Sequence, residues 1–543
     1  MSMAGFIGSR PIYLLMSNTM KKIFTLLFSL IISITIAQEM DVEWKVLLGG
    51  SDTDAGHSII NTSDGGFMIA ASSDSQDGDI MAFHGDYDIW LIKLSHSGQV
   101  EWSRTYGGSD WEWPNSVIQT FDGGYLVVGF TYSDDGDVEG FNGFRDGWVL
   151  KVDGNGVIQW QRSMGGSEAG TLRDVMVVED GYIVIGHDHS TDGDLAGTGC
   201  NNDFWMVKLD YDGNTLWQSC YGGSDQDFPT SINKFADDKI IVSGYTSSED
   251  GDVTGYHDSR DYWVVVLDKD GSLIWQKALG GSSWDEAFDV AVDGVHGRIY
   301  VIGETLSDDG DVSFNYGDLD QWLVCLDFDG QMIYEKSYGG SREEYAKTIL
   351  LGDLGNELYI IGSSSSSDGD VSGNHGNHDM WVVNTDLNGV VNWNKSVGGT
   401  RFEQVLSATH SIGDDLLPDG IVLVGHTNSN DGDVEGPKGS DDVWVVKLGD
   451  ASTSVDELLK EKETIALFPN PVQDFLTISS GEPGSRIDRI VWYDVMGQKI
   501  KDFPVDAYSL TMNIRDHISY SGIYIIVVEL STGIRIVDRI MMN

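Results

Sequence analysis

Residues 115–167 read NSVIQTFDGGYLVVGFTYSDDGDVEGFNGFRDGWVLKVDGNGVIQWQRSMGGS. NSVIQT is a short strand, FDGG a tight turn and YLVVGFT an apolar strand. A loop carrying SDDGDVEG follows, then the strand DGWVLKV, the turn DGNG, and the strand VIQWQRSM ending in GGS. Four strands joined in sequence by turns make a meander; they are named A to D here. The middle strands B and C are apolar on both sides, so each sheet needs cover on both faces.

The same unit returns along the chain with a period of 57 to 59 residues, marked by Trp44, Trp102, Trp160, Trp217, Trp275, Tyr334 and Trp393. A period of this size points to a blade or solenoid unit. The ends of the array choose between them. The last unit supplies A, B and C, with DDVWVVKL at 441–448 as its C strand, and then runs into GDASTSVDELLKEKE without a D strand. The first unit is preceded by an orphan D strand, VEWKVLLGG at 42–50. Pairing orphan with vacancy gives seven complete blades in a closed ring, which leaves no sheet edge to cap from end to end. The expected fold is all-β, a seven-bladed β-propeller over 38–448 with an N-terminal strand closing the last blade.

The 543 residues carry a net charge of -53, of which 38–448 holds -51. So acidic a body repels nucleic acid and anionic membrane surfaces and attracts cations. Residues 20–37, MKKIFTLLFSLIISITIA, have two lysines, an apolar stretch and a small terminal residue, the layout of a secretory signal peptide. The apolar run is shorter than a spanning helix needs, so no transmembrane anchor is expected in the mature protein. Residues 1–19 read as an over-extended start. Three cysteines make no disulfide framework; Cys200 and Cys220 fall within one repeat and could pair, which would leave Cys325 over, and buried or free thiols are the expectation.

The B–C loop reads Ser-x-Asp-Gly-Asp in every unit. The carboxylates are Asp77 and Asp79, Asp135 and Asp137, Asp192 and Asp194, Asp250 and Asp252, Asp309 and Asp311, Asp368 and Asp370, and Asp431 and Asp433. Nine residues after each pair comes a third: Asp88, Asp146, Asp203, Asp261, Asp320, Asp379 and Asp442. One reading is a Ca²⁺ site in each blade, since a glycine-turned loop can offer two carboxylates and backbone carbonyls while the third Asp closes from strand C. The other is a self-tied loop, since Asp before Gly favours turns and its side chain accepts nearby backbone N–H groups.

A second acidic ring lies in the D–A connections, three residues after the Ser or Thr of GGS: Asp54, Glu112, Asp227, Asp285, Glu344 and Glu403, with Gly170 in the third unit. A meander brings the D–A connections and the B–C loops out on one face, with this ring nearer the channel. Aromatics accompany it unevenly: Trp111, Trp113, Phe228, Trp284, Tyr345 and Phe402. Exposed aromatics beside carboxylates suit sugar or peptide binding; packing between blades is the alternative. No catalytic residue stands out. The acids are too many for spacing to nominate an acid and a base, and the histidines, His187 with His189 and His375 with His378 included, follow no metal-binding motif and read as loop residues.

The turn LDYDGNTLW at 209–217 resembles the tryptophan-docking turn of quinoprotein propellers and, more loosely, the Asp-box turn of sialidase-type propellers. The whole unit resembles glycine-rich propeller repeats of exported proteins from Bacteroidetes-type bacteria. After a charged linker at 449–465, residues 466–543 resemble the type A C-terminal sorting domain of the type IX secretion system. Pro-Asn-Pro at 469–471, Asp-Val-Met-Gly-Gln at 494–498 and Ser-Gly-Ile-Tyr at 521–524 fall in that family's order. Three or four strands of alternating apolar residues in this segment imply a small β-sandwich, and the resemblance implies recognition by the type IX machinery and a secreted or cell-surface protein. Together these features point to a non-catalytic binding propeller for a glycan or protein ligand, with Ca²⁺ as the one cofactor considered. The alternative is a secreted glycan-acting hydrolase or lyase using the central acidic face.

Overall fold

The structure is a computed structural model. It describes residues 39–543 apart from 201, 236–238, 353–354, 414–417, 451–464, 469–474, 481–485, 494–498, 514–521, 532–534 and 543. The signal peptide, most of the linker and the sorting motifs at 469–471 and 494–498 lie outside the described residues.

Seven four-stranded antiparallel sheets follow one another, each a meander in which strand neighbours in sequence are neighbours in space. In the first sheet the strands are Asp54–Asn61, Phe67–Ser73, Asp88–Leu94 and Val100–Tyr106. The seventh takes Glu403–Ile412, Pro418–Thr427 and Asp442–Asp450 from the end of the array and Met40–Leu48 from its start. Trp44 lies opposite Lys447 and Leu48 opposite Val443 in that closing pair. The A strands of successive sheets touch all the way round, the last against the first. The fold is a seven-bladed β-propeller with A strands innermost.

Burial explains the apolar runs. Strands B and C are buried along their whole length in most blades, whereas D strands are exposed or half-buried until their last one or two residues. Seven buried clusters each combine residues of two adjoining blades. At their centres sit Trp90, Trp148, Trp205, Trp263, Trp322, Trp381 and Trp444, all at most 1% exposed.

The repeat-marking aromatics of strand D join blade to blade. Trp160 lies over Gly213 in the C–D turn of the next blade, where a Cβ would sit 2.9 Å from the indole, and its Nε1 donates to the Tyr211 carbonyl at 3.1 Å. Gly213 has φ +83°, so glycine serves both the turn and the stacking. Trp44, Trp102, Trp217, Trp275 and Tyr334 meet Gly98, Gly156, Gly271, Gly330 and Gly389 in the same way.

Cys200 and Cys220 form a disulfide, contrary to the expectation of thiols: Cys220 is on strand D opposite Trp205, and the B–C loop of the same blade brings Cys200 across to it. Cys325 is free and buried.

The C-terminal segment has two sheets. Ile465–Phe468, Phe475–Ser480 and Ser509–Asn513 form one; Lys499–Ala507, Ile487–Tyr493, Gly522–Leu530 and Arg535–Met542 form the other. Leu476, Ile478, Ile490, Trp492, Ile526 and Val528 fill a common core. Among the described residues that makes seven strands rather than three or four. Lys499–Ala507 is an edge strand interrupted by Pro504 and charged side chains, so its sequence lacks a clean alternation.

Candidate functional site: the channel mouth and the blade junctions

In every blade the DGD loop is tied to the D–A connection that leads into that blade. In the second blade Asp135 Oδ1 accepts the Ser109 N–H at 2.7 Å, Asp137 N–H donates to the Gly107 carbonyl at 2.9 Å, and Asp137 Oδ2 accepts the Gly107 N–H at 3.3 Å. Asp77, Asp192, Asp250, Asp309, Asp368 and Asp431 hold Ser51, Ser167, Ser224, Ser282, Ser341 and Thr400 as Asp135 holds Ser109. The backbone N–H groups of Asp79, Asp194, Asp252, Asp311, Asp370 and Asp433 repeat the bond of Asp137. The loop serine contributes as well: Ser133 Oγ accepts the Asp110 N–H at 2.9 Å.

The third Asp of each unit turns away from its own DGD pair toward the next blade. Asp88 Oδ2 accepts the His84 N–H at 2.8 Å, while Oδ1 has no hydrogen-bond partner among the described residues and faces Gly107, the first glycine of the following GGS. On the other side of Gly107 is Glu112, whose Oε2 accepts the Gly108 N–H at 2.7 Å and whose Oε1 accepts the Thr131 hydroxyl at 2.6 Å. Asp146, Asp261, Asp320, Asp379 and Asp442 are placed like Asp88 and are fully buried; Asp203 lines its junction at 7% exposure.

The inner acids Asp54, Glu112, Asp227, Asp285, Glu344 and Glu403 are fully buried too. They are capping groups for the GGS backbone, with bonds to Gly50, Gly108, Gly223, Gly281, Gly340 and Gly399. The third blade has Gly170 at this position and still keeps its carboxylate. Asp188 ends strand B where the other blades have Ser73, Thr131, Thr246, Thr305, Ser364 or Thr427, and its Oδ2 occupies the space a Cβ of Gly170 would need. Each junction thus holds two buried carboxylates around one glycine.

Burial disfavours their charged forms. It lifts Glu112 to about 7, against hydrogen bonds from Thr131 and Gly108 that lower it, and Asp88 adds a smaller upward push. Asp320 rises to about 7, and Asp146, Asp285 and Asp379 to about 6, again through burial first. Two of the second DGD carboxylates have cationic partners: Lys438 pairs with Asp79, and Arg162 with Asp194 at 3.2 Å. Among the described residues no three His, Cys, Asp or Glu side chains converge as a metal-ligand group.

The aromatics of the same connections reach solvent. Trp111 is 43% and Trp284 52% exposed, both immediately before the inner acid of their blade, while Trp113, Phe228, Tyr345 and Phe402 are half-buried. Trp111 contacts Tyr87 and Tyr132 edge-on, Trp113 stacks on Phe130, and Phe144 meets Tyr132. Arg260 of the fourth blade lies 4.5 Å from the ring centre of Trp284, which leads into the fifth, and pairs with Glu286.

Sequence reasoning did not find the residues lining the channel. Every A strand has a β-bulge three residues after its opening position, which sets out one unpaired residue per blade. These are His57, Asn115, Arg173, Thr230, Phe288, Lys347 and Leu406. Asn115 reaches the Leu172 carbonyl at 2.6 Å, Thr230 the Ala287 carbonyl at 2.9 Å, and Lys347 lies 3.9 Å from the Phe288 ring, each crossing to a neighbouring blade. The signal was present as a column that differs in all seven units. The histidine reading is corrected here as well: His187 and His378 are 3% and 8% exposed, packed on Phe228 and Tyr345 rather than solvated in loops.

A comparison with curated proteins finds no match. Among solved structures the chain is similar to hydrazine synthase of Kuenenia stuttgartiensis, at 12% identity over 70% of this chain and 94% of that one, with a TM-score of 0.42. It is also similar to Drosophila Plexin A in complex with Semaphorin 1b, at 9% identity, 76% and 88% coverage and a TM-score of 0.42. BBS1N in complex with ARL6DN follows at 8% identity, 77% and 98% coverage and a TM-score of 0.41. Among the described residues no helix is long and apolar enough to cross a membrane. The family described as secretion system C-terminal sorting domain matches residues 466–543. The C-terminal segment is therefore a type IX sorting domain, which engages the secretion machinery, and the propeller is its cargo, exported to the cell surface or released.

Proposed function

We propose that the exported propeller is a non-catalytic binding module whose ligand, a glycan, docks at the channel mouth on the face carrying the D–A and B–C connections. The observation that carries this reading is the uneven ring of aromatics: Trp111 and Trp284 stand exposed at the same rank of the repeat where other blades have Thr53, Ala169 or Gln226. Scaffold positions repeat; these do not. Flat, exposed rings beside polar groups suit stacking against sugar faces. The inner acids Glu112 and Asp285 are occupied by backbone N–H groups inside the junctions rather than open to a substrate, which favours binding over hydrolysis. A signal peptide at 20–37 and a Bacteroidetes-type source belong to the same reading. A glycan array probed with the full chain tests it: oligosaccharide binding that is lost in Trp111→Ala or Trp284→Ala supports the proposal, and an array without a hit overturns it.

Calcium is part of the proposal as a stabiliser rather than a reactant. Asp135 uses Oδ1 on Ser109 and Asp137 uses Oδ2 on Gly107, so each has an oxygen left for a hard cation, and the body carries -51 charges.

A further inference from the structure

The third blade departs from its repeat on the channel side. Its bulged residue is Arg173, set out between Leu172 and Asp174, and exposed to the channel. The other seven arginines between residues 39 and 450 each donate at least one hydrogen bond. Arg173 makes no hydrogen bond or ion pair among the described residues, although the chain has 86 acidic residues against 33 basic ones.

The nearby acids are engaged elsewhere. Asp174 accepts the Ser116 hydroxyl at 2.7 Å, the Val175 N–H at 2.8 Å and the Ile232 N–H at 2.9 Å. Glu286 is paired with Arg260, and Asp188 is buried in the junction behind Gly170. A guanidinium without a counter-ion inside a ring of protein is electrostatically costly and selects for an anion.

Two further groups border the same spot. Arg145 donates Nε to the Gly170 carbonyl at 2.9 Å with its guanidinium 5.0 Å from the Phe130 ring centre, and its terminal nitrogens donate no hydrogen bond among the described residues. His187, opposite Thr171 on strand B, is 97% buried with Nδ1 unpartnered. Burial, with Arg173 and Arg145 close by, holds its pKa well below the ordinary value, so it is a neutral imidazole. Phe228 lies 4.0 Å from its ring centre, and Phe130 flanks the Arg145 guanidinium.

We infer that Arg173 and Arg145 form a subsite for the oxyanion of an acidic glycan, a uronate carboxylate or a sulfate ester, whose neighbouring sugar rings rest on the aromatics of the mouth. This deepens the binding reading above and rests on it. The acidic exterior repels free polyanions, so selectivity arises from one oxyanion placed against fixed guanidiniums within a largely neutral contact.

The test is titration calorimetry of the full chain with three probes of equal length: an oligogalacturonate, a sulfated galactan oligomer and a neutral galactan oligomer. Arg173→Gln is the variant, chosen because Arg173 bonds to nothing that folding needs; an unchanged melt confirms its integrity. At least one acidic probe is expected to bind, with affinity reduced tenfold or more in Arg173→Gln, and the better of the two tells carboxylate from sulfate. Equal affinity of that probe for both proteins, or no binding of either acidic probe to wild type, overturns the subsite. If the neutral probe still binds and loses affinity in Trp111→Ala, the binding function stands and only the anionic subsite falls; if none of the three binds, the subsite falls and the glycan array decides the binding function.

Discussion

Asp88 and Glu112 come from adjoining blades, are both fully buried, and both turn an oxygen toward Gly107. Such a pair raises the cost of ionisation, and the sign of its effect on stability follows. The folded carboxyls titrate near 6 to 7 at Glu112, Asp320, Asp146, Asp285 and Asp379, against 3.8 to 4.5 for the free groups. Between about pH 4 and 7 the native state therefore binds more protons than the unfolded chain, and stability falls as pH rises through that window. With calcium chelated, the melting temperature is expected to be several degrees higher at pH 5 than at pH 8. Glu112→Gln should flatten part of that slope. A melt that rises toward pH 8 would count against the buried pairs.

The exchange of Gly170 and Asp188 for the acid and hydroxyl of the other blades predicts a specific coupling. Gly170→Asp alone drives a side chain into the Asp188 carboxylate and adds a third acid to the junction. Asp188→Thr alone removes the inner carboxylate of the junction, while a threonine hydroxyl can still take the Ser190 N–H as Thr131 takes that of Ser133 at 2.9 Å. Each single change should destabilise, and the double variant, which restores the arrangement of Asp227 with Thr246, should recover stability by about 1–3 kcal/mol relative to additivity. A double-mutant cycle in denaturant unfolding measures it; an additive result means the two positions are independent.

Gly136, between Asp135 and Asp137, has φ +66°, and a Cβ there would collide with the Gly107 carbonyl. Gly123, in the A–B turn, has φ +80° with nothing within 4 Å of a Cβ. Both pay the backbone penalty of a left-handed residue, and only Gly136 adds a clash with the D–A connection. Gly136→Ala is expected to cost roughly 2–4 kcal/mol and Gly123→Ala about 1 kcal/mol. Equal costs in thermal unfolding would show that the loop-to-connection tie is soft.

Periodicity was enough to read the blade count and the closing strand Met40–Leu48, because burial of both faces imposes the same residue types at each repeat; the strand-D aromatics were legible as markers of the period but not as the groups that join blade to blade. The inner acids were legible as a column and illegible as buried groups. Whether Glu112 meets solvent depends on Asp88 from the preceding blade and on the GGS backbone, neither of which a single unit contains. Asp188 was hidden because its carboxylate moved to a different strand while keeping the same place in space. Arg173 was hidden because a β-bulge, which breaks the alternation of strand A, decides which residue faces the channel. The disulfide joins two positions in one repeat, and spacing alone left its pairing open.

Calcium should separate two origins of loop stability. If hydrogen bonds alone hold the DGD loops, the bonds from Ser109 to Asp135 and from Asp137 to Gly107 survive chelation and the melt does not move. If cations share the load, removing them leaves two ionised carboxylates per loop in an acidic body, and their mutual repulsion lowers the melting temperature, most at low ionic strength. The expected outcome is a lowered melt in chelator at pH 8, restored by Ca²⁺, with metal counted by elemental analysis. Asp135→Asn with Asp137→Asn should abolish one blade's share. The loops of Asp79 and Asp194 already have Lys438 and Arg162 as counter-ions, so their sites should fill last. Lys438→Gln tests this on one blade: it should increase the stabilisation gained from Ca²⁺, because it returns an unpaired carboxylate to that loop. A chelator-insensitive melt in both wild type and Lys438→Gln would remove calcium from the account and assign the loops to hydrogen bonding alone.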